Sequence, residues 1–124
     1  MAGRGALAEY VDDLQAGGRL TFTRDEAMDA LGVSMDALKQ AALRLAKRGR
    51  LVSPRRGFYV IVPLEYRAEG APPLDRWLPE LLRFHGAQLL AREEIDGEVV
   101  LSVDRRLRSM SVGGMTVRFV ARAR

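Results

Sequence analysis

The stretch from Leu20 to Ile61 constrains this chain most, because helix starts, helix stops and a turn fall in it at short intervals. Thr23 stands three residues ahead of Glu26, the spacing of a capping box: the hydroxyl takes a backbone N–H of the first turn and the carboxylate takes the cap's own N–H. The helix predicted from Arg24 to about Leu31 has Ala27, Met28, Ala30 and Leu31 as its apolar face and stops at Gly32, a residue at ease in the left-handed region. Ser34 then caps a second helix running to Lys47 or Arg48, and Gly49 ends it. Met35, Leu38, Ala42 and Leu45 recur at three- and four-residue steps and predict its buried stripe. That leaves Lys39, Gln40, Leu43, Arg44 and Lys47 toward the outside, although Leu43, like Tyr59 farther on, is expected to pack. Arg50-Leu51-Val52-Ser53 should pair with Phe58-Tyr59-Val60-Ile61 across a turn in which Pro54 pre-sets the backbone and Gly57 accepts positive φ, with Arg55 and Arg56 at the tip.

Charge is distributed in blocks. Residues 1–36 hold three basic and seven acidic side chains, net −4. Residues 37–64 hold Lys39, Arg44, Lys47, Arg48, Arg50, Arg55 and Arg56 and no acid, net +7. Residues 65–103 return to −4, and residues 104–124 carry six arginines against Asp104, net +5. Most charge runs are solvated faces. Seven cations without a carboxylate, on a helix and a hairpin tip, make a directional field that suits a polyanion.

Helix, tight turn, helix and basic-tipped hairpin is the layout of a winged helix-turn-helix, which offers DNA a helix for the major groove and a charged wing for the backbone. On that layout Lys39, Gln40 and Arg44 are the candidates for reading bases. Gln40 has the amide that pairs with adenine, and Lys39 or Arg44 can donate to guanine. Ser34, Lys47, Arg48, Arg50, Arg55 and Arg56 are assigned to the phosphate backbone, where contacts give affinity without sequence information.

The flanks complete an α+β chain. Leu7, Tyr10, Val11 and Leu14 predict a first helix that stops at Gly17-Gly18. Residues 1–67 are read as the winged domain, residues 68–73 as a linker by their two prolines and glycine, and residues 74–124 as a small module of one helix and antiparallel strands. Its helix carries Leu74, Trp77, Leu78, Leu81 and Leu82, and begins near Trp77 if Pro79 is to sit in the first turn. Asp96-Gly97 and Gly113-Gly114 are hairpin turns. They precede Glu98–Val103 and Met115–Val120; Leu89, Leu90 and Ile95 before the first turn fit either a helix or a strand, and Met110 and Val112 share a face with Val117 and Phe119.

Other classes of function find little support. There is no cysteine, so neither a disulfide frame nor thiolate chemistry is open, and a cytoplasmic protein is expected. No apolar run is long enough for a membrane span or a signal segment. His85, the single histidine, stands beside Gly86 at a helix end and reads as a C-terminal capping residue. Glu93, Glu94, Asp96 and Glu98 lack a calcium-loop pattern and read as a solvated hairpin edge. The glycines form no phosphate-binding fingerprint. No enzyme and no cofactor are predicted.

Two runs also resemble a known family. Gly32-Val33-Ser34 with Ala41-Ala42-Leu43-Arg44-Leu45-Ala46-Lys47-Arg48-Gly49-Arg50-Leu51-Val52, and Arg55-Arg56-Gly57-Phe58-Tyr59-Val60-Ile61-Val62-Pro63-Leu64-Glu65-Tyr66-Arg67, look like the N-terminal domain of the AbiEi antitoxins. The likeness covers roughly residues 5 to 84, and residues 99–108 and 112–120 look like the family's next segment. It departs where family members have a longer helical stretch and a larger C-terminal domain. The resemblance implies a bacterial repressor that binds double-stranded DNA at its own promoter, in a type IV toxin–antitoxin (abortive infection) operon. It implies a nucleotidyltransferase-type toxin encoded alongside, opposed without a stable complex. A homodimer on paired half-sites is one expectation, and one domain per site is the other, since the sequence has no convincing dimerisation helix. The alternatives are a solitary transcription factor and a winged-helix protein-interaction module.

Overall fold

The capping box forms as its spacing predicts. The Thr23 hydroxyl accepts the Glu26 N–H at 3.1 Å, and the Glu26 carboxylate accepts the Thr23 N–H at 3.0 Å. Arg19 donates to the same carboxylate at 2.8 and 2.6 Å, tying the chain before the helix to its first turn. The computed structural model describes residues 5–123, which form four helices and two sheets, an α+β chain. It divides into two compact units between Pro72 and Pro73. Residues 68–73 lack helix and strand, as their composition predicts, and Ala71 and Pro72 within them are buried.

In the first unit, α1 (Ala6–Ala16), α2 (Arg24–Leu31) and α3 (Met35–Lys47) accompany a sheet of β1 (Thr21–Thr23), β2 (Leu51–Arg55) and β3 (Phe58–Ile61) in the order β1-β3-β2. Gly32, left-handed at φ 64°, donates its N–H to the Met28 carbonyl and turns the chain from α2 into α3. Ser34 caps α3 by accepting the Ala37 N–H at 3.2 Å. The core gathers Leu7 and Val11 of α1, Ala27 of α2, and Leu38, Ala42 and Leu45 of α3 against Phe22, Leu51 and Ile61. Ala30, expected on the apolar face of α2, is exposed instead, and Met28 and Leu31 reach the core only in part.

Beyond a short 3-10 turn at Leu74–Arg76, the second unit holds α4 (Leu78–His85) and the strands β4 (Leu89–Ile95), β5 (Glu98–Val103), β6 (Met110–Val112) and β7 (Met115–Ala121). Trp77 caps α4 and is fully buried, which puts Pro79 in the first turn, where a missing N–H costs nothing. The sheet order β4-β5-β7-β6 corrects one expectation: β5 and β7 run parallel, so the strands are not all antiparallel. Residues 104–114, with β6 inside them, serve as the crossover that a parallel pair requires, and β6 is displaced to the sheet edge. Met110 opposite Val117 and Val112 opposite Met115 give the shared face that alternation predicts.

Glu26 makes part of this architecture sensitive to acid. Burial by itself would raise its carboxyl, but the hydrogen bonds from Arg19 and the Thr23 backbone, the Arg19 charge and the Thr23 hydroxyl together hold it below the ordinary value. A lowered folded-state value means stabilisation that is present above the unfolded value of about 4 and lost as pH falls through the folded one. Glu26→Gln should therefore show a urea midpoint that declines less steeply than wild type on acidification. Parallel declines would remove Glu26 from the acid response.

Candidate nucleic-acid interface

Helix α3 buries Leu38, Ala42 and Leu45, and geometry at 3.6 residues per turn puts Asp36, Gln40, Leu43 and Lys47 along the opposite ridge, all exposed. Leu43 is 50% exposed, which corrects the expectation that it packs. It shares the outward ridge with Gln40 and Lys47. Met35 is likewise exposed, at 41%, rather than part of the buried stripe; Val33 in the preceding turn packs against the core.

Of the three predicted base-reading residues, Gln40 lies on this ridge, and Lys39 and Arg44 diverge to either side of it. Lys39, Leu43 and Ala46 face Val52, Ser53 and Tyr59 across a groove of about 200 Å³ between α3 and the hairpin. Arg44 and Arg48 line a second groove, of about 670 Å³, on the side of α3 toward the start of α1. Gln40 stands between them. Lys47 and Arg48, at the C-terminal end of α3, are exposed and complement its dipole. Ser34 spends its oxygen on the cap, while its hydroxyl proton can still donate.

The hairpin differs from its predicted form. Strand β2 continues through Pro54 and Arg55, and the turn is Arg56-Gly57 alone. Arg55 thus sits in the strand opposite Phe58, half-buried, rather than at the tip, while Arg56 is exposed in the turn. A proline fits within β2 because this is an edge strand and its register shifts between Val52 and Arg55. The Ser53 hydroxyl spans that irregularity, in contact with the carbonyls of Arg55 at 2.7 Å and Phe58 at 3.0 Å.

Two charges change standing once folded. Arg50, expected on the phosphate backbone, is half-buried and ion-paired with Asp12 of α1, so its guanidinium is held internally. Arg24, which the sequence reading passed over, lies beside the hairpin turn: its N–H donates to the Gly57 carbonyl at 2.8 Å and its side chain covers Gly57. The available signal was a cation at the first position of a helix, where the dipole disfavours one. Asp36 was also missed; its place four residues before Gln40 puts it on the same ridge.

Tyr59 floors the groove, stacked on Phe22 at 5.1 Å, and Phe22 meets Tyr10 edge-on at 5.5 Å. Burial pushes the Tyr59 phenol above its ordinary value, with Arg24 opposing, so it stays protonated near neutral pH and able to donate a hydrogen bond. In the second unit, the register puts Glu93 and Glu94 on opposite faces of β4, and among the described residues no three acidic, histidine or cysteine groups converge as a metal site. No helix among the described residues is long and apolar enough to cross a membrane.

Comparisons with known protein families, curated proteins and solved structures return no match to this chain.

The hairpin turn gives a direct check. Gly57 has φ 81°, and a Cβ there would meet Arg24 atoms only at ordinary contact distance, 3.8 Å, so conformational strain rather than crowding sets the penalty. Gly57→Ala should lower unfolding free energy by about 1–2 kcal/mol in urea titrations. A neutral result would mean that the turn has another accessible conformation.

Proposed function

We propose that this protein is a sequence-specific double-stranded DNA-binding transcriptional repressor whose first unit acts as a winged helix-turn-helix. The observation that carries the reading is where the acid-free run comes to lie. Lys39, Arg44, Lys47 and Arg48 are exposed on α3 and Arg56 is exposed at the hairpin turn, on the two elements that border one groove. In this reading α3 enters the major groove with Gln40 foremost, Lys39 on the hairpin side and Arg44 on the α1 side. Arg56, Lys47, Arg48, Arg24 and the Ser34 hydroxyl meet phosphates, with Arg55 adding charge from within β2. Arg50 contributes less, because Asp12 offsets it. Repression is steric: an occupied promoter excludes the polymerase, and no catalysis is called for.

The resemblance to AbiEi antitoxins supports a narrower form of the proposal, an autoregulated toxin–antitoxin operon in a bacterial cytoplasm. An adjacent gene for a nucleotidyltransferase-like toxin would support it, and a solitary gene would leave a plain regulator.

Retardation of the protein's own upstream DNA should weaken steeply with salt. If about four phosphates are neutralised, affinity should fall on the order of a hundredfold between roughly 50 and 200 mM salt. Folded protein that fails to bind this DNA at low salt would sink the proposal and favour a protein-docking role. The two elements should also be separable. Arg56→Ala should weaken all duplexes about equally, whereas Gln40→Ala should cost about 1–3 kcal/mol on the preferred site and little elsewhere. Identical effects of the two variants would contradict the proposed roles of helix and wing.

A further inference from the structure

Strand β4 is an edge of the second sheet, bonded to β5 on one side only, and of its seven residues all but Ala91 are exposed. The opposite edge, β6, has three residues. A long edge left bare is a template for another strand, and charges along it decide which strand it accepts.

The hairpin fixes what β4 presents. Asp96 (φ 51°) and Gly97 (φ 80°) make a two-residue turn of the primed type, so Ile95 and Glu98 flank it as a closely hydrogen-bonded pair. Counting back from Ile95, Glu93 also turns its backbone groups toward β5, and Arg92 and Glu94 turn theirs outward.

A second copy added antiparallel about a two-fold axis normal to the sheet must pair residues that share a face. The short symmetric registers are then few. Arg92 against Arg92, or Glu94 against Glu94, sets like charges together. The register centred on Glu93 sets Arg92 of each copy opposite Glu94 of the other, two opposite-charge pairs at outward backbone positions. It also lays Ala91 against Ile95, whose 42% exposure is otherwise bare apolar surface. Arg92 is already steadied by its ion pair with Asp75, and a guanidinium has further donors for a second carboxylate. One feature opposes the register: Glu93 meets its own copy at the axis.

We propose that β4 pairs antiparallel with β4 of a second copy of this chain, Arg92 opposite Glu94, joining the two sheets into one. The pairing is independent of the DNA-binding proposal and can be tested without DNA. In sedimentation equilibrium from low- to high-micromolar concentration, the wild-type chain dimerises. Glu94→Arg alone and Arg92→Glu alone each put like charges face to face and weaken the dimer by about tenfold or more. Their equimolar mixture restores both pairs and dimerises. Glu93→Gln removes the repulsion at the axis and tightens the dimer severalfold, a gain that misfolding cannot imitate. If Arg92→Glu fails to fold for want of the Asp75 partner, Glu94→Arg and Glu93→Gln still decide. A wild-type chain that stays monomeric throughout, or a folded Glu94→Arg variant that dimerises as wild type does, overturns the interface. A Glu93→Gln variant no tighter than wild type overturns the register.

Discussion

Everything in the first unit hangs on β3. It is hydrogen-bonded to β1 on one edge and β2 on the other. Ile61 joins the helix core on one face with Tyr59 packed against it, while Phe58 and Val60 are buried on the opposite face. The Tyr59–Phe22 stack and the Arg24 N–H on the Gly57 carbonyl carry that constraint to the ends of the hairpin. A two-stranded hairpin alone is marginal in water; one sewn to β1 is held at a set distance from α3. The groove between α3 and the hairpin inherits its shape from this anchoring.

Charges in the same unit do two different things. Arg19 with Glu26 and Arg50 with Asp12 pair at the surface of the unit, where such interactions stabilise little. Their larger effect is on the field: they offset Arg19 and Arg50, while Lys39, Arg44, Lys47, Arg48 and Arg56 are exposed. Asp36 and Leu43 also stand exposed on the ridge; under the DNA-binding proposal one would repel phosphate and the other would offer an apolar contact such as a thymine methyl group accepts. A uniform basic surface would bind any duplex. An interrupted one has the means to discriminate.

The second unit is organised by its crossover. With β7 beside β5, the longest edge strand among the described residues is β4, which is also the strand richest in charge. Acidic and basic residues along an edge commonly ward off pairing. Here the alternation of Arg92 and Glu94 at outward positions allows one symmetric partner while penalising the neighbouring registers, so protection and recognition come from the same residues.

Much of the fold was legible in the residues. The Thr23–Glu26 box, Gly32, the Ser34 cap, the Asp96-Gly97 turn and Pro79 in the first turn of α4 all involve groups within about four residues of one another, where backbone sterics and single hydrogen bonds decide the outcome. The site was legible in part. The exposure of Lys39, Gln40, Arg44, Lys47, Arg48 and Arg56 followed from helical period and turn composition. The capture of Arg50 by Asp12 and the approach of Arg24 to Gly57 did not, since both partners are remote in sequence. Nor could alternation tell that β7 would lie parallel to β5, or that the bulge at Ser53–Pro54 would carry Arg55 off the tip. By itself, then, the sequence determined where elements start and stop and which faces are apolar, because those depend on local geometry. Tertiary structure alone decided strand neighbours, which cations remain outward and whether Leu43 is covered, because these depend on which distant surfaces compete for the same space.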